Sequence, residues 1–432
     1  MGFRFTEEDF ERYVTTAEHG GRHIWHYLED CLEELLAISF KTNPYIARGD
    51  RLQQLWIVPK ETRRPDWRHQ AMFSLGRSIE RKRLTFGLAV ECPSVEWAEQ
   101  QGLDTNRDCQ RLLRHLEHSG GVRTRIDQLG AMSEWRIGIS LNGSGQTADS
   151  SDDLLEAIVK IPEQQYWSVY MSRKIGAEEA IAAGEDIVEV IMAAYRTVLP
   201  LWLTLIPQAD REFIRNKRRE AVNVWWVNQG DSYEFASREE FLWAPLENKQ
   251  GQTFVHWELV DEVNPNDVIV HYYHTAIRGL SRTKERAQIK THPHDVDGEQ
   301  QRRGRLLDVK YFEFDDPIPF GDVQDDLMQL DIEHSPFTTG GHVKQGYFWR
   351  FNQDGLGILR EAHDEPWPSW TDIALPIESL ASDELDVGSA TPVHLGSVLQ
   401  EALSTRGLQY SDWQIATFYT ALQTKGFVIL SG

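Results

Sequence analysis

Val222-Asn223-Val224-Trp225-Trp226-Val227-Asn228-Gln229-Gly230 is the stretch on which the fold turns. Its apolar run has no polar alternation, so a strand built from it needs cover on both faces. Asn-Gln-Gly then stops it with turn-forming residues. Strand-like segments follow at 267–273, 276–282, 306–314 and 345–351, with polar turns between them. Many short strands of this kind predict a small β-barrel with helices around it. A charged helix over 210–220 leads into the barrel, which occupies residues 210–353.

The chain before it, residues 1–209, reads as an N-terminal α/β domain. Strands are expected at 55–58, 84–90, 135–141 and 167–171, and helices near 25–38, 95–118 and 177–199. Residues 142–153 are polar and Gly/Ser-rich and read as a surface loop. After the barrel, residues 354–392 are acidic, contain Pro and Ser, and read as a linker. Residues 393–432 recover helical periodicity and close on the strand-like run Phe427-Val428-Ile429-Leu430. The fold class is α+β.

Composition narrows the function. With 432 residues, 41% hydrophobic and 26% charged, the chain is long enough for two or three cores. A formal charge of -22 argues against indiscriminate binding to polyanions over the whole surface. Two local basic clusters stand against that background. One holds Arg211, Arg215, Lys217, Arg218 and Arg219; the other runs from Arg278 to Arg305. Val188 to Pro207 is apolar but interrupted by Glu189 and Arg196, and reads as a buried helix rather than a membrane span. Cys31, Cys92 and Cys109 lie at no metal-ligand spacing, and with no secretory signal they suit the cytoplasm. His19, His23 and His26 have helical spacing but lack an acidic partner, and no metal is expected. No nucleophile or nuclease motif stands out, and the chain is expected to bind rather than catalyse.

Six blocks in order carry a family resemblance: WWVNQG (225–230), FLWAP (241–245), HW (256–257), NDVIVHYYHTAIRGLSR (266–282), RLLDVKYF (305–312) and KQGYFWRF (344–351). They resemble an EVE/YTH domain of the PUA-like superfamily, as found at the front of McrB-type, modification-dependent restriction proteins. The resemblance covers about 130 of the 432 residues. It implies double-stranded DNA as partner, with one modified base flipped out and read in an aromatic pocket. Extrusion costs a few kcal/mol. Stacking on an aromatic ring returns on the order of 1–3 kcal/mol per base.

Trp243 in FLWAP resembles the cage Trp of YTH readers and is the expected stacking wall. Asn228 and Gln229 carry amides suited to a base edge, next to Trp226. Alternation puts Tyr272 and His274 on one strand face and Tyr273 on the other, so one set can face a pocket. Trp257 is a further candidate. Arg278, Arg282, Arg302, Arg303 and Arg305 are the expected phosphate holders. Unlike YTH readers, the stretch Thr291 to Gly304 has no Phe, Tyr or Trp to close the cage. An RNA reader and a protein-sensing module are the other readings.

The C-terminus carries a second resemblance. Tyr410-Ser411-Asp412-Trp413 and FYTALQTKGFVILSG (418–432) look like the lead-in to the AAA+ motor of McrB-type GTPases. The sequence stops at Gly432, where the phosphate loop of that family would begin. GTP or ATP with Mg is therefore expected only of a motor beyond it, as is oligomerisation. The resemblance also implies a separate, McrC-like nuclease subunit.

Overall fold

The computed structural model describes residues 3–377, apart from 12–17, 20–21, 47–51, 61–69, 101–107, 119, 142–143, 163–164, 231 and 294–302. These belong to one compact unit, Met1–Ser382. A second unit, Asp383–Gly432, lies outside the described residues, and with it the motor lead-in and the end of the expected linker.

The first sheet has seven strands: β1 (Phe40–Ile46), β2 (Leu52–Pro59), β3 (Ala71–Ser78), β4 (Arg83–Cys92), β5 (Trp135–Leu141), β6 (Ser144–Ala148) and β7 (Trp167–Gly176). Their order is β1-β2-β3-β4-β7-β5-β6, and every pairing is antiparallel. The α/β reading of residues 1–209 is thereby corrected. β1 to β4 are joined as successive neighbours, a meander that needs no helical crossover. The expected loop at 142–153 likewise contains β6 and the start of helix α4 (Ser151–Val159).

Helix α5 (Ile187–Leu205) is apolar and long enough to cross a membrane by composition, yet it is the core helix of this half. Tyr195 and Trp202 lie against Phe73, with ring centroids 5.0 and 5.3 Å away. The Trp202 indole N–H donates to the Ala71 carbonyl at 2.9 Å, so its polar edge is satisfied inside the core.

Helix α6 (Gln208–Ala221) leads into the second sheet. Its strands are β8 (Val224–Asn228), β9 (Phe241–Pro245), β10 (Val268–Tyr273), β11 (Ala276–Thr283), β12 (Gln288–Thr291), β13 (Arg303–Pro319) and β14 (Phe348–Phe351). The order is β9-β13-β11-β10-β8-β14, with β12 on β13. Only β8 and β10 run parallel. The sheet curls into a half-barrel.

Alternation sorts β8 between two cores. Trp225 and Val227 join Leu242, Ile269, Leu307 and Phe348 on the concave side. Val224 and Trp226 join Val270, Leu280, Phe314 and Phe351 on the convex side. That is why Val224 to Val227 include no polar residue. The convex core also takes Leu356, Leu359, Ala374 and Leu375. Half of the acidic stretch read as a linker is therefore part of the globule. Helix α9 (Gln353–Glu361) and a 3-10 turn at Ser369–Ala374 bury their few apolar residues while the acids stay outside.

Candidate functional site

Trp243 sits on edge strand β9 and is partly exposed. Its ring lies flat on the β13 backbone at Gly304, where an added Cβ would come 2.3 Å from ring carbon Cε2. His292 meets the indole edge-on at 4.6 Å. The Trp243 backbone N–H donates to the Tyr347 hydroxyl at 3.2 Å. Tyr347 in turn accepts the Asn228 N–H on its own carbonyl at 2.8 Å. One tyrosine thus spans the seam between β9 and β8. Its main-chain N–H is held by His256 Nδ1 at 3.0 Å.

Behind this seam the concave side holds a buried polar chain. His271, with no exposed surface, contacts the Gln229 side-chain oxygen through Nδ1 at 2.6 Å and Ser281 Oγ through Nε2 at 2.7 Å. Burial lowers its pKa to about 3, so the ring is neutral at neutral pH. Nδ1 then donates to Gln229, and Nε2 accepts the Ser281 hydroxyl. This fixes the Gln229 amide, whose Nε2 points to the Tyr311 hydroxyl at 3.2 Å. Burial holds the Tyr311 and Tyr347 phenols above their ordinary pKa, and the Tyr347 phenol raises that of Tyr311 further.

At the mouth, Tyr233 donates to Glu313 at 2.7 Å and stacks on Tyr273, centroids 4.9 Å apart. A register shift in β10 between His271 and Tyr272 accompanies the change from lumen to mouth.

The expected pocket residues do not form one group. Gln229 faces the concave core with His271 and Tyr311, whereas Trp243 alternates with Leu242 and Ala244 of that core and so lies on the opposite face of β9, over Gly304. Asn228 and Tyr272 instead border a cleft of about 610 Å³ on the convex side, with Thr275, Phe320 and Lys344. The Asn228 amide is spent there: it donates to the Lys344 and Gly346 carbonyls and accepts the Trp226 indole N–H at 2.7 Å. Trp226 is fully buried beneath Tyr272 and cannot wall an open pocket. His274 leaves the strand alternation altogether. With Thr275 it makes a tight turn at φ 46° and 60°, exposed at the surface. Trp257 packs against the concave core and meets Phe254 edge-on at 4.8 Å.

The expected phosphate holders are also divided. Arg305 is buried and paired with Asp261 at 2.7 Å, and Arg282 is held by Asn266 and by Glu34 of the first half. Both are structural. Arg302 lies outside the described residues. Arg278 sits over the Tyr273 ring at 6.0 Å, while Arg303 is exposed on β13. Lys290, exposed on β12, pairs in register with Gly304 beneath the Trp243 ring. In the other basic cluster, Arg218 is buried and donates to the carbonyls of Leu35, Asp372 and Leu375. Among the described residues no set of His, Cys, Asp and Glu side chains could hold a metal ion.

His271, Ser281, Tyr311, Tyr347, Tyr233 and Glu313 were not singled out by the sequence. Strand alternation could have found His271, a polar residue at a core position of β10. The tyrosines carried no comparable signal.

No protein-family model matches the sequence, and no curated protein is similar to it. Solved structures give weak likenesses. A Rhodopseudomonas palustris structural-genomics protein, solved by NMR, is 11% identical with a TM-score of 0.24, over 33% of this chain and 92% of its own. Crystal structures from Pseudomonas putida and Pseudomonas syringae are each 14% identical. Their TM-scores are 0.24 and 0.23, over 32% of this chain and 98% and 97% of theirs. Likeness at this level assigns neither fold nor function.

Proposed function

We propose that the half-barrel is a PUA-like reader of the EVE/YTH kind, which stacks a flipped, modified base of DNA on Trp243 of β9. It serves as the target-recognition module of a cytoplasmic, McrB-like, modification-dependent restriction system. The chain itself binds; translocation and cutting belong to a motor and to a McrC-like nuclease subunit. The observation that carries the reading is the Trp243 ring, laid on Gly304 and partly exposed at the edge of the sheet. An exposed indole face stacks on any base.

Lys290, in register with the Gly304 that underlies the ring, takes the phosphate role with exposed Arg303, in place of Arg282 and Arg305. So few cations near the ring also favour a second reading, a single RNA strand carrying the modified base, since a small footprint releases few counterions. The test is fluorescence anisotropy at fixed salt with duplexes carrying 5-methylcytosine, 5-hydroxymethylcytosine, N4-methylcytosine, N6-methyladenine or no modification, and with matched RNA. Trp243→Ala is expected to remove discrimination, up to about a hundredfold, and to leave weak salt-dependent binding. Equal loss on modified and plain strands, or no loss, refutes the reading.

A further inference from the structure

The two edges of the first sheet differ. β1, at one edge, carries Lys41 and Pro44, residue types that blunt an edge against further pairing. β6, at the other, reads Ser-Gly-Gln-Thr-Ala and has no charge, proline or bulge. The Gln146 carbonyl turns inward to β5: it accepts the Tyr170 hydroxyl at 3.3 Å, and a Cβ on Gly138 would meet it at 2.2 Å. Strand alternation then turns the N–H and C=O of Gly145 and Thr147 outward. Both residues are exposed, and among the described residues no strand, turn or side chain takes up those outward groups. Such an edge is a template for one more strand.

Beside β6 a groove of about 690 Å³ runs between the sheet and helix α4. Ile139, Leu141 and Ala148 form its floor. Asp153, Glu156, Ala157 and Lys160 follow one another along a single face of α4 and its C-cap, and form its wall. The lining carries three carboxylates, Asp149, Asp153 and Glu156, against one cation. That cation, Lys160, is taken by Glu156 at 2.5 Å. Asp149 and Asp153 are exposed and meet no cation among the described residues. An apolar floor under an acidic wall suits a side chain with a long aliphatic stem and a positive head, which is lysine or arginine. Nucleic acid and anionic lipid are repelled by the same carboxylates. A second copy, pairing β6 to β6, would set the acids of both molecules beside one another.

We propose that β6 and α4 capture an extended, basic segment of a partner protein, which adds to the sheet as a further strand and lays Lys or Arg side chains in the groove. Main-chain hydrogen bonds to Gly145 and Thr147 supply affinity whatever the sequence, and the groove selects the alternate residues that point into it. The five residues of β6 give the segment a footprint of about 17 Å.

The experiment uses the full chain and a fluorescein-labelled peptide alternating lysine and valine, read by anisotropy at low salt. A version with an N-methylated backbone keeps the charge but loses the strand donors, and is expected to bind about tenfold more weakly. Thr147→Pro takes away an outward N–H without touching the ladder to β5, and is expected to weaken the parent peptide by about the same factor. Asp149→Asn with Asp153→Asn is expected to weaken it about fivefold. The same charge change at exposed Asp325 and Asp326 of the second half should leave it unaltered. Hydrogen exchange is expected to slow at residues 144–148 when the peptide is bound. Absence of binding, equal binding of the two peptides, equal effects of the two aspartate pairs, or protection confined to residues 222–377 overturns the proposal. So does a dimer of the free chain that Thr147→Pro dissolves, which makes the occupant a second copy. None of these readouts involves nucleic acid, so this proposal and the reader assignment fail separately.

Discussion

Acidification should act on the half-barrel chiefly through His271. His271 is fully buried, and its pKa falls from the ordinary 6.5 to about 3 on folding. The unfolded chain therefore binds the proton first. A base whose folded pKa is depressed contributes its full stability above the unfolded value of 6.5 and loses it as pH falls toward about 3. Within that window each pH unit costs about 1.4 kcal/mol. Between pH 7 and pH 5 the loss from this one ring is about 2 kcal/mol, a large share of the stability of an ordinary domain. The perturbation is His271→Gln, which keeps a donor and an acceptor for Gln229 and Ser281 but does not titrate. Urea midpoints followed by tryptophan fluorescence at pH 7 and pH 5 give the comparison. The parent should lose about 2 kcal/mol more than the variant. His115 and His256, also lowered by burial, titrate in both proteins and cancel in the difference. Equal losses in the two proteins would refute the argument, because the buried ring would then be protonated as readily folded as unfolded.

Gly304→Ala should push the Trp243 ring off β13, since the new methyl meets both the ring and the Ala244 carbonyl within 2.5 Å. A cost of about 1–3 kcal/mol in stability and a loss of modified-base binding are expected; an unchanged melting temperature argues against the packed ring. Tyr347→Phe removes the acceptor of the Trp243 N–H, and should cost about 1–2 kcal/mol and speed amide exchange at Trp243, readable by hydrogen-exchange mass spectrometry. Arg218→Met leaves three carbonyls without their donor and is expected to cost about 3–5 kcal/mol, whereas exposed Arg219→Met should stay within about 0.5 kcal/mol. Equal effects of the two arginine variants in thermal melts would contradict the burial difference.

How far the sequence could be read depended on which physical signal each element carried. β8 was legible because a strand covered on both faces leaves an uninterrupted apolar run, and α5 because its few charges interrupt a long apolar helix. β3 and β1 were not picked out: Ser74, Gly76 and Arg77 break one pattern, and Lys41, Asn43 and Pro44 break the other. Their ladders are formed by neighbours distant from any local signal. The acidic stretch after residue 353 misled for a related reason. Composition reports the exposed majority of side chains, while Leu356, Leu359 and Ala374 decide the packing. At the candidate site, residue type suggested Trp243 and Gln229, but only the fold could separate them from Asn228 and Trp226. Adjacent positions on one strand serve opposite faces, and Asn228 is an ordinary amide until the Lys344 and Gly346 carbonyls claim it.

The Arg218 clamp has a mechanical consequence. Its guanidinium ties Leu35 of the first half to Asp372 and Leu375, a few residues before the compact unit ends at Ser382. Tension on the chain beyond that point would be borne by this clamp together with buried Leu375 and Ile377, and not by the rim where Trp243 lies. Load and the proposed recognition site are thus set in different parts of the molecule, and a tug on the tail would strain the junction before it loosened the Trp243 seam.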